Sequence, residues 1–123
     1  MKYVILIYHN PGARQIWEQL SDDERAAGLE AYAALNEELA ASGELVVAEA
    51  LADPETARRV SISDGQPITS DGPFAEVKEY LAGFYLVECE SVERATQIAA
   101  RIPEASAGFI EVRPIMTYAG LDT

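Results

Sequence analysis

Residues 2–8 read KYVILIY and residues 83–88 read GFYLVE. After Lys2 the first run is a continuous β-branched, aliphatic and aromatic stretch, so it reads as a strand covered on both faces rather than a half-solvated one. The second is a shorter strand of the same kind. What lies between and around these two strands decides the fold.

After the first strand, Asn10-Pro11-Gly12 has the chemistry of a turn. Residues 13–20 predict a short helical turn carrying Ile16, Trp17 and Leu20. Ser21-Asp22-Asp23-Glu24 is a capping box, with acidic side chains at the positive end of the helix dipole. Leu29, Tyr32, Leu35 and Leu39 recur at three- and four-residue steps. They predict a helix to about Ser42, closed by Gly43. Residues 44–51, ELVVAEAL, form a second strand, broken by Asp53-Pro54. Residues 58–64 alternate, Asp64-Gly65 is a two-residue hairpin signal, and residues 66–70 return, with Pro67 confined to an edge or a strand start. Asp71-Gly72-Pro73 makes a further turn, followed by a short helical or irregular stretch to Leu81. After the 83–88 strand, Ser91 caps a helix whose stripe is Val92, Ala95, Ile98, Ala99 and Ile102, and Pro103 ends it. Residues 109–116 are the last strand, with Phe109, Glu111, Arg113 and Ile115 on one face and Ile110 and Val112 on the other.

The order strand, helix, strand, hairpin, strand, helix, strand is an α+β ferredoxin-like βαββαβ pattern with an inserted β-hairpin. It implies an antiparallel sheet with both long helices on one face. The other face then needs a cover, and a second copy of the same sheet supplies one, which predicts a homodimer.

Composition bounds the function. The chain has 123 residues, read as a single domain over 1–123, and 9 Lys+Arg against 21 Asp+Glu give a net charge of −12. A 49% hydrophobic content excludes a disordered chain. The longest strongly apolar run, residues 3–8, is too short for a membrane span or a signal-peptide core. The scattered basic residues argue against nucleic acid as a partner and disfavour an anionic membrane surface. Cys89 is the single cysteine, so there is no internal disulfide, which fits a reducing, cytoplasmic setting. The sequence carries no phosphate-cradling glycine loop and no His/Cys cluster with metal spacing, so neither cofactor nor metal is expected.

Residues 71–79, DGPFAEVKE, followed by GFYLVE, resemble the DGPF family within the YCII-related group. The similarity extends to the KYVILIY opening, residues 21–24, GELVVAEAL, residues 100–103 (ARIP) and residues 111–114 (EVRP). The resemblance implies a dimeric α+β barrel built from ferredoxin-like protomers, with no fixed activity. Smaller YCII-like proteins are associated with a histidine and an aspartate near the first long helix, proposed as an acid–base pair, and a relative is a dehydrochlorinase acting on a chlorinated hydroxyquinol. Here residues 22–42 contain no histidine, and Ala41 and Ser42 precede Gly43, so that pair does not transfer. Family members are also encoded beside, or fused to, extracytoplasmic-function sigma factors.

Several residues could carry chemistry. His9, the single histidine, sits just after a strand and reads either as a general acid–base or as a loop histidine with a local partner. Asp71 reads either as a carboxylate at a cleft mouth or as a cap of its own turn. Phe74 is a core or pocket-wall plug. Lys78, in a charged run with Glu76 and Glu79, could hold an anionic group or only face solvent. Glu111 and Arg113 share a strand face, as a salt bridge or, with Glu49 as a candidate partner of Arg113, as an anchor for a carboxylate or phenolate. Cys89 lies between Glu88 and Glu90, which disfavours a nucleophilic thiolate. Two functions follow. One is a dimeric protein whose cleft binds a small organic molecule and performs cofactor-independent acid–base chemistry, an isomerisation or elimination on an aromatic or carbonyl compound, with His9 and Asp71 as acid and base. The other is a non-catalytic ligand-binding or regulatory module.

Overall fold

A computed structural model describes residues 1–72 and 78–117. Strand β1 (Lys2–His9) runs into helix α1 (Pro11–Gln19), then α2 (Asp22–Ser42) and β2 (Leu45–Ala50). A hairpin, β3 (Arg58–Ser63) and β4 (Gln66–Asp71), precedes β5 (Tyr80–Glu88), α3 (Val92–Ala100) and β6 (Ile110–Pro114). Short 3₁₀ turns at Pro54–Thr56 and Pro103–Ala107 fill two of the connections.

The main sheet is antiparallel with strand order β2-β5-β1-β6. With the hairpin set aside, this is the ferredoxin-like arrangement, and the hairpin forms its own two-stranded sheet. Its register, from Arg58↔Asp71 to Ser63↔Gln66, closes on Asp64 and Gly65, both at positive φ (50° and 75°). Positive φ at both central residues matches the right-handed twist of a two-residue hairpin.

Two start signals read differently in space. Asn10-Pro11-Gly12 opens α1: the Asn10 Oδ1 accepts from the Ala13 amide at 2.7 Å, and proline stands in the first helical turn, where a missing N–H costs nothing. The capping box forms as expected, with Ser21 Oγ accepting from the Glu24 amide at 3.1 Å and Glu24 Oε1 from the Ser21 amide at 3.0 Å. Gly43 ends α2 at φ 79°. Strand β5 begins three residues earlier than the sequence suggested, at Tyr80.

The core lies between the sheet and α2 and α3. Tyr3, Ile5 and Ile7 of β1 and Tyr85 and Val87 of β5 meet Leu35, Leu39, Ala95, Ile98, Ala99 and Ile102. Ile5, Leu35, Leu39, Val87, Ile98 and Ile102 are fully buried, and each such side chain contributes about 1.5–3 kcal/mol by leaving water. The helical stripes fray at their starts: Leu29 is 60% exposed and Val92 45%.

The opposite sheet face carries Val4, Leu6 and Tyr8 of β1, Phe84 and Leu86 of β5, and Glu111 and Arg113 of β6. Its apolar residues are half-buried, so a single chain covers β1 and β5 fully on one side only. Glu49 and Arg113 are on opposite edge strands, three interstrand spacings or about 14 Å apart, too far to pair within one chain.

Candidate functional site

The site forms where β1 leaves the sheet. The β1–β5 ladder slips between Ile7 and Tyr8, so Ile7 faces Gly83 but His9 faces Tyr80. Such a bulge re-aims the side chains beyond it. The His9 and Tyr80 rings meet edge to face, with centroids 6.1 Å apart and planes at 75°. Pro103 stops α3 and starts the 3₁₀ turn that turns Glu104 inward. There Glu104 Oε2 lies 2.8 Å from His9 Nε2. From α2, the Tyr32 hydroxyl donates to Glu104 Oε1. One helical turn on, Asn36 Oδ1 accepts from the Tyr85 hydroxyl.

The electrostatics follow from partial burial. The Glu104 and His9 side chains are 20% and 33% exposed. Burial opposes ionisation of Glu104, but hydrogen bonds from His9 and Tyr32 outweigh it and hold the carboxyl below its ordinary range. Burial, then the hydrogen bond to Glu104, pushes the Tyr32 hydroxyl far above the ordinary tyrosine value. Tyr85 is raised as well, chiefly by burial, with the Glu104 charge adding to it and Asn36 opposing it. Glu104 is therefore an ionised acceptor between two donors, and a carboxylate in that state cannot donate. Nε2 must then carry a proton to bond that carboxylate, so in the neutral form of His9 the lone pair lies on Nδ1.

Tyr80 also borders two open surface grooves. One, of about 460 Å³, is lined by Pro11, Arg14, Gln15, Glu18, Pro54, Glu55 and Tyr80. The other, of about 520 Å³, is lined by Leu51, Ala52, Asp53, Pro54, Thr56, Ala57, Arg59, Glu79, Tyr80 and Leu81. An Arg14–Asp53 ion pair ties α1 to the segment after β2 beside them. Both are open to solvent, and His9 is in neither lining.

The expected site residues separate. His9 belongs to the cluster. Asp71 ends β4 with its side chain 91% exposed, 3.8 Å from Arg58 across the hairpin. Its turn is held by the backbone, through the Gly72 amide and the Ala57 carbonyl at 2.7 Å. Lys78 is exposed, and Arg113 and Glu49 are exposed on the edge strands. Phe74 and Glu76 lie outside the described residues. Cys89 is buried and in no disulfide. Three cluster members were not singled out from the sequence: Glu104, hidden in the turn after Pro103; Tyr32, assigned to an apolar stripe; and Tyr80. A carboxylate straight after a helix-ending proline, beside the buried Ile102, was the one available signal for Glu104.

Comparison with known proteins agrees with this architecture. The model of the YCII-related domain matches residues 1–119. An uncharacterised protein of Rhizobium meliloti (strain 1021) is 34% identical over 120 residues, covering 96% of this chain and 94% of that protein. Among solved structures, the 5-chloro-2-hydroxyhydroquinone dehydrochlorinase of Burkholderia phenoliruptrix AC1100, in complex with 2,5-dihydroxybenzoquinone, superposes with a TM-score of 0.54 at 20% identity, over 99% of this chain and all of that one. The fold is thus shared with that enzyme, and the chain belongs to the YCII-related family.

Proposed function

We propose that this YCII-related chain binds a small organic molecule beside Tyr80 and moves a proton on it with His9 as general base. The observation that carries this reading is the His9–Glu104–Tyr32 arrangement. A carboxylate that accepts from Nε2–H fixes the tautomer, leaves Nδ1 as the basic nitrogen, and stabilises the imidazolium formed when Nδ1 takes a proton. The same group returns that proton to another atom in an isomerisation, or keeps it while a leaving group departs in an elimination. No cofactor enters this scheme. The fold shared with an enzyme that acts on a chlorinated hydroxyhydroquinone supports a small hydroxylated aromatic or carbonyl compound as substrate. Asp71, Lys78 and Arg113 enter as secondary candidates, because the described contacts of the cluster do not include them, and Phe74 stays a candidate pocket-wall residue outside the described residues.

In the same proposal the protein is a cytoplasmic homodimer. The half-buried Val4, Leu6, Phe84 and Leu86 form the interface, with Glu49, Glu111 and Arg113 at its rim. A second copy covers the apolar face that one chain leaves open.

Proton transfer can be tested before a physiological substrate is known. A panel of hydroxyquinols, phenols and β-dicarbonyl compounds is incubated in D₂O, and exchange at carbon is followed by NMR. Wild type should accelerate exchange on at least one compound, and His9→Ala should lower that rate by about 10²-fold or more. Exchange that is unaffected by His9→Ala, or absent from the whole panel, overturns the catalytic reading in favour of a binding module.

A further inference from the structure

We propose that Tyr32 is a positioning residue, which sets the charge that His9 meets by sharing the Glu104 carboxylate. The inference rests on reading His9 as the base, but its test does not require turnover.

Each Glu104 oxygen has its own donor, Oε1 the Tyr32 hydroxyl and Oε2 the Nε2 of His9 at 2.8 Å. A hydrogen bond from a neutral hydroxyl withdraws negative charge from the carboxylate as a whole. The Tyr32 hydroxyl is raised far above its ordinary value, so it stays protonated and acts as a fixed donor rather than a source of protons. Among the described residues, four side chains meet within this group or one step from it. Tyr80 meets His9 from β5, Glu104 meets it from the turn after α3, and Glu104 in turn is faced by Tyr32 from α2 and by Tyr85 from β5. The Tyr85 hydroxyl is already committed to Asn36, so Tyr32 alone among these tyrosines divides the carboxylate with His9. Removing the Tyr32 O–H leaves more negative charge beside the imidazole and favours its protonated form.

His9 is the single histidine in the chain, so its ring resonances are unambiguous in ¹⁵N- and ¹³C-labelled protein. On deprotonation the wild-type ring should pass from imidazolium to the Nε2–H tautomer. Tyr32→Phe should keep that tautomer and raise the titration midpoint by roughly half a unit, a fraction of the roughly 1–2 units that one hydrogen bond to a charged group is worth, because the bond is made to Glu104 and reaches His9 only through it. Glu104→Gln should lower the midpoint and mix the tautomers, and Tyr85→Phe should leave it in place. 3-Fluorotyrosine at position 32 alone, which strengthens that donor and keeps its hydrogen bond, should lower the midpoint, and this arm decides the matter if Tyr32→Phe does not fold. A midpoint unchanged or lowered by Tyr32→Phe, or not lowered by fluorotyrosine, overturns the proposal. Midpoints that move as expected while carbon exchange ignores His9→Ala retire the catalytic reading alone; His9-dependent exchange with an immobile midpoint retires the role of Tyr32 alone.

Discussion

Gly83→Ala tests whether the close approach of β2 to β5 shapes both the sheet and the site. A Cβ built on Gly83 would lie 2.8 Å from the Glu49 carbonyl oxygen and 3.4 Å from the Ala50 Cα. The obstacle is backbone, not a flexible side chain. It is also pinned, because the next amide, that of Leu51, donates to the Ala82 carbonyl at 2.8 Å. The methyl therefore fits only if β2 moves outward by a few tenths of an ångström. Overpacking of this kind costs about 1–3 kcal/mol, offset by up to about 1 kcal/mol from the stiffer unfolded chain of alanine. The expected net loss is about 1–2 kcal/mol, which lowers the melting temperature by about 4–8 °C in a domain of this size. Urea denaturation with calorimetry measures it. Gly43→Ala is the contrast: nothing lies within 4 Å of its Cβ, and only its φ of 79° is strained. Because Gly83 pairs with Ile7 at the β1 bulge, Gly83→Ala should also shift the His9 ring resonances, whereas Gly43→Ala should not. A Gly83→Ala protein within about 0.5 kcal/mol of wild type, with unmoved His9 signals, would refute the reasoning.

Two further outcomes follow from contacts elsewhere. Arg94 grips Glu44 with Nε and Nη2, both at 2.8 Å, and this interaction, with help from Ser42, holds the Glu44 carboxyl down to about 2 from an ordinary 4.5. A depressed carboxyl contributes stability above its unfolded value, and that contribution fades as the pH falls from about 4.5 toward 2. Glu44→Gln should therefore cost about 1–2 kcal/mol at pH 7, allowing for partial exposure, and almost nothing near pH 2; a gap that stays constant in urea titrations at the two pH values excludes this linkage. For the open face, Leu6 sits on the central β1, opposite Phe84 on one side and Glu111 on the other. Leu6→Glu should turn a dimer into a folded monomer by sedimentation velocity, and a monomeric wild type, or a Leu6→Glu dimer of unchanged strength, removes this face as the interface.

The parts of the fold that were legible in the sequence are those set by near neighbours. The capping box at Ser21, the Gly43 stop and the Asp64-Gly65 turn each concern residues within four positions of one another, and each forms. Alternation along the last strand also sorted Ile110 and Val112 from Glu111 and Arg113 correctly. The site was harder because its pairings are long-range: His9 meets Glu104 across 95 positions, and Tyr32 meets Glu104 across 72. Periodicity recognises Tyr32 as part of a stripe, since its ring is apolar, but is blind to the hydroxyl at its tip. The reading of Asn10-Pro11-Gly12 as a stop missed that the same residue types start helices, and here they begin α1 directly after His9.

The strand order explains why these distant residues meet. With β1 central between β5 and β6, its C-terminal end emerges beside the start of β5, which brings Tyr80, and near the connection into β6, which brings Glu104. The Tyr8 amide donating to the Phe109 carbonyl at 2.8 Å fixes that approach, and the Phe109 amide is itself held to the Glu104 carbonyl. Helix α2 crosses the same end of the sheet and presents Tyr32 and Asn36 one turn apart. The helix therefore need not supply the histidine. In the proposed mechanism the imidazole comes from the strand and the carboxylate from the turn after α3, while the helix contributes a hydroxyl that tempers the carboxylate. An absent helical histidine thus changes which element holds the base without removing the acid–base geometry from this end of the fold.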